Sequence, residues 1–289
     1  REMKLRAATR GSPLALWQTN FVSMLLKPFG IEVEPLILKT KGDQDQLTPL
    51  HVIGGRGIFV KEIQQAVLNG TAHFAVHSLK DLPPLPVNGL SLAAVTKRGD
   101  PRDALVGEKL NNLPHGANVA TGSIRRKAQL SELRPDLNFH ELRGNIETRL
   151  TKVKEYDAII MASVALERLN LKPSNVSILE VETMIPQVGQ GAIGIECQSG
   201  DIELLKALKQ IEDPKTRTLV DTERQFLIHV GADCSNAVAG HATYEQENIR
   251  LRTFLGNEET NQNTFDDRTG LDGETLGRDA AKALTVIGT

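Results

Sequence analysis

Short apolar runs of strand character alternate with helix-period stretches through the first two-thirds of this chain, which excludes all-α and all-β folds in favour of parallel sheets joined by crossover helices. Residues 4–9 read as a strand. Ser12 then caps a helix that Pro13 starts, and Leu14, Trp17, Phe21 and Leu25 recur on one helical face. Residues 31–40 return as a strand, a helix with Val60, Ile63 and Val67 on one face stops at Gly70, and 72–76 form the next strand. Between them, 41–57 has no periodicity and reads as a mobile surface loop of the kind that forms lids. After the Gly/Asp/Pro cluster at 96–101 the alternation restarts, with strands at 104–106, 118–121, 139–142 and 158–161. A second crossing at 185–192 leads into a strand at 193–197, so the chain leaves one lobe, builds another and comes back. From about Thr216 the pattern changes to a helix through Leu219, Glu223 and Phe226, a turn around Cys234, strands at 237–244 and 249–255, and a terminal helix from Gly273. The expected division is therefore 1–95 with 192–212, then 96–191, then a small α+β domain over 213–289.

Three strand-to-helix junctions carry arginine: Arg10-Gly11-Ser12-Pro13, Ser123-Ile124-Arg125-Arg126, and Arg143-Gly144-Asn145 followed by Arg149. A helix N-terminus bears about half a positive charge, so a cation there is disfavoured by roughly 0.3–1 kcal/mol unless an anion joins it. The junctions therefore point to a polyanionic small molecule. Guanidinium forks suit carboxylates, because each can form two parallel hydrogen bonds.

Charge balance bounds the partners. Lys+Arg 34 against Asp+Glu 36 leaves a net charge of -2, which argues against a nucleic-acid surface. Aromatic residues at 4% offer no stacking platform for bases. The starting residues lack the apolar run of a signal peptide and no stretch approaches a membrane span, so a soluble cytoplasmic location is expected. Two cysteines, Cys197 and Cys234, are too few for a disulfide scaffold or a structural zinc site. His51, His73 and His77 lack metal-ligand spacing, and no metal is expected.

Lys80-Asp81 falls at a strand end beside Pro83-Pro84, where open α/β sheets bind ligands. The plain reading is a surface ion pair in a turn; placement at the presumed cleft favours a carboxylate that works as acid, base or cation stabiliser. Arg125 and Arg126 would occupy the second and third positions of a helix capped by Ser123, either as solvated charge or as an anion site. Cys197 lies in an apolar strand and reads as a small buried hydrophobe. Cys234 sits in polar turn chemistry, which exposes the sulfur, and no histidine is placed to make a convincing Cys-His pair.

Taken together, ATRGSPLALWQ, GGRGIFVKE, AVHSLKDLP, DPRDALV, TGSIRRKAQL, LRGNIETRL, YDAIIMA, PQVGQGAIGIE and GADCSNAV closely resemble the porphobilinogen deaminase (hydroxymethylbilane synthase) family, over nearly the whole chain and in the same order. The resemblance implies an α/β fold with two lobes like type II periplasmic binding proteins and a small α+β third domain carrying the cofactor cysteine. It implies that four porphobilinogen molecules are joined head to tail with loss of ammonia, on a dipyrromethane cofactor held through a thioether to Cys234. Asp81 matches the catalytic aspartate, with Arg10, Arg143 and Arg149 beside it in the catalytic set. Lys80, Ser12, Ser78, Thr121, Ser123, Arg125 and Arg126 match cofactor ligands. Arg168, Phe59 and Gln190 match substrate-binding positions, Phe59 within the lid, and the expected state is a monomer. Departures occur at Gly122 (serine is common), Asp233 (glycine is common) and Ala237 (proline is common), and the chain ends soon after Ile287. A rival from a different class is a two-lobed anion-binding protein without catalysis.

Overall fold

The structure, a computed structural model, describes residues 2–53, 57–231 and 236–285. Its chain divides into two compact units. The first takes the chain up to Asp45, resumes before Gly99, and ends with Gly191–Thr218; the second takes 46–53, Asp100–Gln190 and the chain from Leu219 onward.

In the first unit, β1 (Met3–Arg10) leads into α1 (Pro13–Leu26) and β2 (Ile31–Leu38). Two short helices, α2 (Lys41–Gln44) and α3 (Leu50–Ile53), then precede α4 (Lys61–Leu68), β3 (Phe74–Ser78) and β4 (Leu90–Val95). The second unit begins its sheet with β5 (Asp103–Gly107), β6 (Asn118–Ala120), α5 (Ile124–Leu133), β7 (Asn138–His140) and α6 (Ile146–Thr151). It continues with β8 (Ala158–Ala162), α7 (Ser163–Arg168) and β9 (Val176–Leu179). The chain returns through β10 (Ile193–Gln198) and α8 (Ile202–Lys209), then runs along α9 (Pro214–Val230) into β11 (Asn236–Glu245), β12 (Asn248–Asn257), β13 (Gln262–Gly270) and α10 (Gly273–Thr285).

The first sheet has the order β2-β1-β3-β10-β4 and the second β7-β6-β8-β5-β9, one plan used twice. The pattern predicts parallel strands, and the three strands at one side of each sheet are parallel. The fourth strand departs from it: β10 runs antiparallel to β3 and β4, and β5 antiparallel to β8 and β9. Strand alternation feeds separate cores on the two faces of a sheet. Leu5, Ala7, Phe74 and Val76 pack with α1 and α8, whereas Ala8 and Ala75 pack with α4 through Ile63 and Val67. On α1 the expected face shifts: Gln18, Thr19, Val22 and Leu26 are buried, while Trp17 and Phe21 stack on each other at 5.3 Å and are only half-buried. The stacked aromatic pair covers the rim and leaves the slimmer neighbours underneath.

The third sheet is an antiparallel meander, β11-β12-β13. One face packs on α9 and α10 through Phe226, Leu227, Leu251 and Leu276, and the other places Ala237, Ala239 and Phe254 against Ile185 and against Ile124 and Ala128 of α5. Helix α10 meets α9 backbone to backbone at Gly277, where any Cβ would lie 2.6 Å from the Phe226 nitrogen. No described helix is long and apolar enough to cross a membrane.

Candidate functional site

Within the first unit the site grows from the ends of β1 and β3. Ser12 caps α1 by accepting the Ala15 N–H at 3.3 Å, which leaves its own O–H free to donate. Arg10, one turn of chain earlier, already has an anion. Its Nε donates to both Asp43 oxygens at 3.0 and 3.2 Å, and its guanidinium lies 4.3 Å from the centroid of the Phe59 ring. Asp43 is fixed in turn by a capping box at α2: its carboxylate accepts the Thr40 N–H at 3.1 Å and the Thr40 hydroxyl at 2.8 Å. Burial by itself raises the Asp43 carboxyl, and the bonds and charge of Arg10 overcome that and hold it below its ordinary value. The stretch 41–57, expected to be an aperiodic loop, is thus partly ordered: the capping box starts α2, and α3 follows it.

Ser78, at the end of β3, accepts from the Gln18 amide at 2.8 Å and donates back to its oxygen at 3.2 Å. Lys80 and Asp81 follow in a tight 3-10 turn, both half-buried. Asp81 joins Arg10, Ser12, Phe59 and Ser78 around a small hollow that opens to solvent. Among the described residues the Asp81 carboxylate makes no hydrogen bond or ion pair. His77 keeps its structural reading: it is buried 2.9 Å from Glu196, which also accepts from Gln64 at 3.0 Å.

In the second unit Ser123 caps α5, accepting the Arg126 N–H at 3.3 Å, and Thr121 accepts the Ser123 N–H at 3.1 Å. Arg125 and Arg126 sit in the first turn as expected, yet they are buried, at 4% and 6% exposure. Both converge on Asp103 of β5, which is fully buried: Arg125 donates at 2.8 and 3.3 Å and Arg126 at 2.9 and 3.2 Å. Burial raises the Asp103 carboxyl, and the two guanidinium charges outweigh it and hold the group well below the carboxylate range. Gln190, expected at a substrate position, is fully buried and donates to Asp103 at 2.8 Å and to the Pro101 carbonyl at 2.7 Å. The arginine junctions are therefore balanced in part by the protein's own carboxylates, which sequence spacing gave no means of finding. Two guanidiniums still face one carboxylate, and Arg125 Nε is a buried donor with no acceptor among the described residues.

Asn145 caps α6; of its flanking cations, Arg149 donates to the nearby Gly144 carbonyl at 2.9 Å and Arg143 to the carbonyl of Thr48, distant in sequence. Arg168 ends α7, where burial lowers it to about 10. Cys197 is buried in β10 and its thiol is pushed up to about 12 by that burial, in keeping with an inert core residue. At Gly122 a serine Cβ would lie 2.7 Å from the Leu142 carbonyl oxygen, so the local backbone approach explains the glycine. Ala237 is fully buried in the core beside α5. Cys234 and Asp233 lie outside the described residues, between α9 and β11. The described residues hold no group of three or more metal-ligating side chains.

Residues 5–206 match the family model "Porphobilinogen deaminase, dipyromethane cofactor binding domain", and 218–285 match "Porphobilinogen deaminase, C-terminal domain". A porphobilinogen deaminase of Brevibacillus brevis is 42% identical over 293 residues, spanning 99% of this chain and 95% of that protein. Among solved structures, a Salmonella typhimurium periplasmic binding protein with arginine specificity aligns with a TM-score of 0.43 and 9% identity over 77% of this chain and 97% of its own. The periplasmic aliphatic sulphonate binding protein of Escherichia coli aligns with a TM-score of 0.40 and 13% identity over 78% and 68%.

Proposed function

This chain belongs to the porphobilinogen deaminase family, and we propose that Asp81 is its catalytic carboxylate, served by two sets of cationic and hydroxyl ligands. The reaction joins four porphobilinogen molecules head to tail, releasing ammonia at each addition, to give hydroxymethylbilane on a dipyrromethane primer. The primer, when bound, supplies the pyrrole carbon to which the first substrate is joined.

The donors in this protein fit such a group. Each of its two rings carries an acetate and a propionate, and the second unit offers an excess guanidinium, an unspent buried Nε–H and the spare hydroxyl proton of Ser123. Lys80, Ser12, Ser78, Thr121, Ser123, Arg125 and Arg126 are assigned to hold it, with Cys234 as the thioether anchor. Asp103 and Gln190 set the Arg125 and Arg126 forks in place. Arg10, Arg143, Arg149 and Arg168 grip the carboxylates of substrate and growing chain, with Phe59 against Arg10.

The observation that carries the catalytic reading is the Asp81 carboxylate, without a bonding partner among the described residues, in a hollow lined by Arg10, Ser12 and Ser78. As ammonia leaves porphobilinogen, positive charge develops on the substrate pyrrole. A fixed carboxylate that accepts the pyrrole N–H stabilises that charge. A purely anion-binding protein would have no use for an unpaired carboxylate in an anion pocket, so the non-catalytic reading is disfavoured. The working state proposed is a cytoplasmic monomer, built as three domains over 1–95 with 192–212, 96–191 and 213–289.

Intact-protein mass spectrometry tests the cofactor assignment. The purified protein should exceed its sequence mass by one covalent dipyrromethane, and Cys234→Ala should lack the increment. An active protein at the bare sequence mass would overturn the assignment.

A further inference from the structure

We propose that Gln129 is a positioning residue for Arg125, bracing the backbone of Ile185 so that the guanidinium presents its Nε edge to a carboxylate of the bound dipyrromethane. The inference rests on the reading of Arg125 as a cofactor ligand. Gln129 stands one helical turn after Arg125 on the same face of α5 and is buried at 2% exposure. Its amide meets one residue in both directions: Nε2 donates to the Ile185 carbonyl at 3.0 Å, and the Ile185 N–H donates to Oε1 at 2.8 Å. Two bonds to the backbone of one residue fix its place and the direction of its carbonyl. Pro186 adds to this, because the residue before a proline is confined to extended conformations.

That carbonyl is also an acceptor for Arg125, whose Nη1 donates to it at 2.9 Å. Nη1 and Nη2 donate as a pair to the two Asp103 oxygens, at 2.8 and 3.3 Å. Asp103 thus holds the end of the guanidinium and Ile185 its Nη1 side, and a planar group held at two separate acceptors cannot turn about either one. The side that remains carries Nε, a buried donor with no acceptor among the described residues. Such a donor is unfavourable inside a protein unless a ligand acceptor reaches it.

The braced backbone also joins Arg125 to the elements beside the proposed anchor. Ile185 opens the segment 185–190, whose further contacts lie on α9 and β11. The Gly189 N–H donates to Glu223 of α9 at 2.9 Å, the Gly240 N–H of β11 donates to the Pro186 carbonyl at 3.0 Å, and Val188 shares a core with Phe226 of α9. Cys234 lies between these same two elements in sequence. Gln129 is therefore the α5 end of a run of contacts from both flanks of the proposed thioether to the proposed carboxylate grip. A slide of α5 along the segment would separate grip from anchor, and the Gln129 amide opposes it.

The test uses the full-length Cys234→Ala protein, in which binding is reversible, and a free dipyrromethane bearing two acetates and two propionates. Gln129→Met keeps the length of the side chain and loses both bonds. Titration calorimetry should show it binding about three- to tenfold more weakly than Cys234→Ala alone. In an Arg125→Lys background, which keeps the charge beside Asp103 and lacks the Nε edge, Gln129→Met should leave the Kd unchanged. Gln129→Asn, one methylene short of Ile185, carries the same expectation should a urea melt show that Gln129→Met does not fold. Undiminished binding by a folded Gln129 variant overturns the positioning role. An equal loss with and without the Arg125 edge overturns it too, since that is the mark of a residue serving the fold alone. Binding by Arg125→Lys as tight as that of Cys234→Ala would instead overturn the reading of Arg125 as a cofactor ligand.

Discussion

Three carboxylates, Asp43, Asp81 and Asp103, sit near cations in this protein, and their surroundings separate their tasks. Asp43 and Asp103 are tied to guanidiniums and held below the ordinary carboxylate range. Asp81 has no such partner among the described residues, although Arg10 lines the same hollow. A half-buried charge without a structural bond is costly to keep unless it meets a ligand that develops positive charge. Asp81→Asn keeps the shape and removes that charge, so kcat/KM should fall about 10²–10⁴-fold while the urea midpoint changes by no more than the equivalent of about 0.5 kcal/mol. Steady-state kinetics beside a urea melt would decide it, and wild-type turnover would remove Asp81 from the chemistry. Lys80-Asp81 was legible because a strand end and a proline pair mark it locally. Gln18, Asp43 and Asp103 were not, since their partners lie 60, 33 and 22 residues away in sequence, beyond any local spacing signal.

Helix starts were the most readable elements, because a cap is a contact within three residues: Ser12, Ser123 and Asn145 all cap as their sequences imply. Edge strands were the least readable. β9 and β13 lie at sheet edges with alternating half-exposed residues, and QNTFDDRTG carries too little apolar character to announce a strand. The antiparallel placement of β5 and β10 was hidden because strand direction depends on partners chosen across the chain. One such partner choice fastens α5: Asp103 on β5 receives both arginines of its first turn, and Arg125 also reaches the Ile185 carbonyl at 2.9 Å. Removing one member of a buried ion cluster leaves uncompensated charge, so Asp103→Asn should lose about 3–5 kcal/mol at neutral pH. The pH dependence has a defined sign. The folded carboxyl titrates below its unfolded value of about 3.9, so its contribution is present above that value and is lost as pH falls through the lower folded one. The stability gap between wild type and Asp103→Asn, followed by urea titration, should therefore hold steady from neutral pH to about pH 5 and narrow below about pH 4. A gap that widened on acidification would show that Asp103 is not the anion of this cluster.

At the scale of the whole molecule, a net charge of -2 conceals a local surplus of cations at the start of α5, where Arg125 and Arg126 share one carboxylate. Folding without an exogenous polyanion must therefore hold cations together at a cost, and a bound polycarboxylate offsets it by linkage, favouring the folded state alone. Cofactor-loaded protein should accordingly unfold several degrees above the Cys234→Ala protein that lacks the cofactor, since for a chain of this size each kcal/mol moves Tm by about 2–4 °C. The origin of the difference can be isolated with ions. At equal ionic strength, sulfate should raise the Tm of Cys234→Ala more than chloride does and should raise the loaded protein less, because the proposed cofactor assignment fills the guanidinium sites with its carboxylates. Differential scanning calorimetry in the two salts measures both effects. Equal melting temperatures for the two proteins, or a sulfate response of the same size in each, would mean that the arginines are balanced by the fold alone and that the cofactor contributes chemistry without contributing stability.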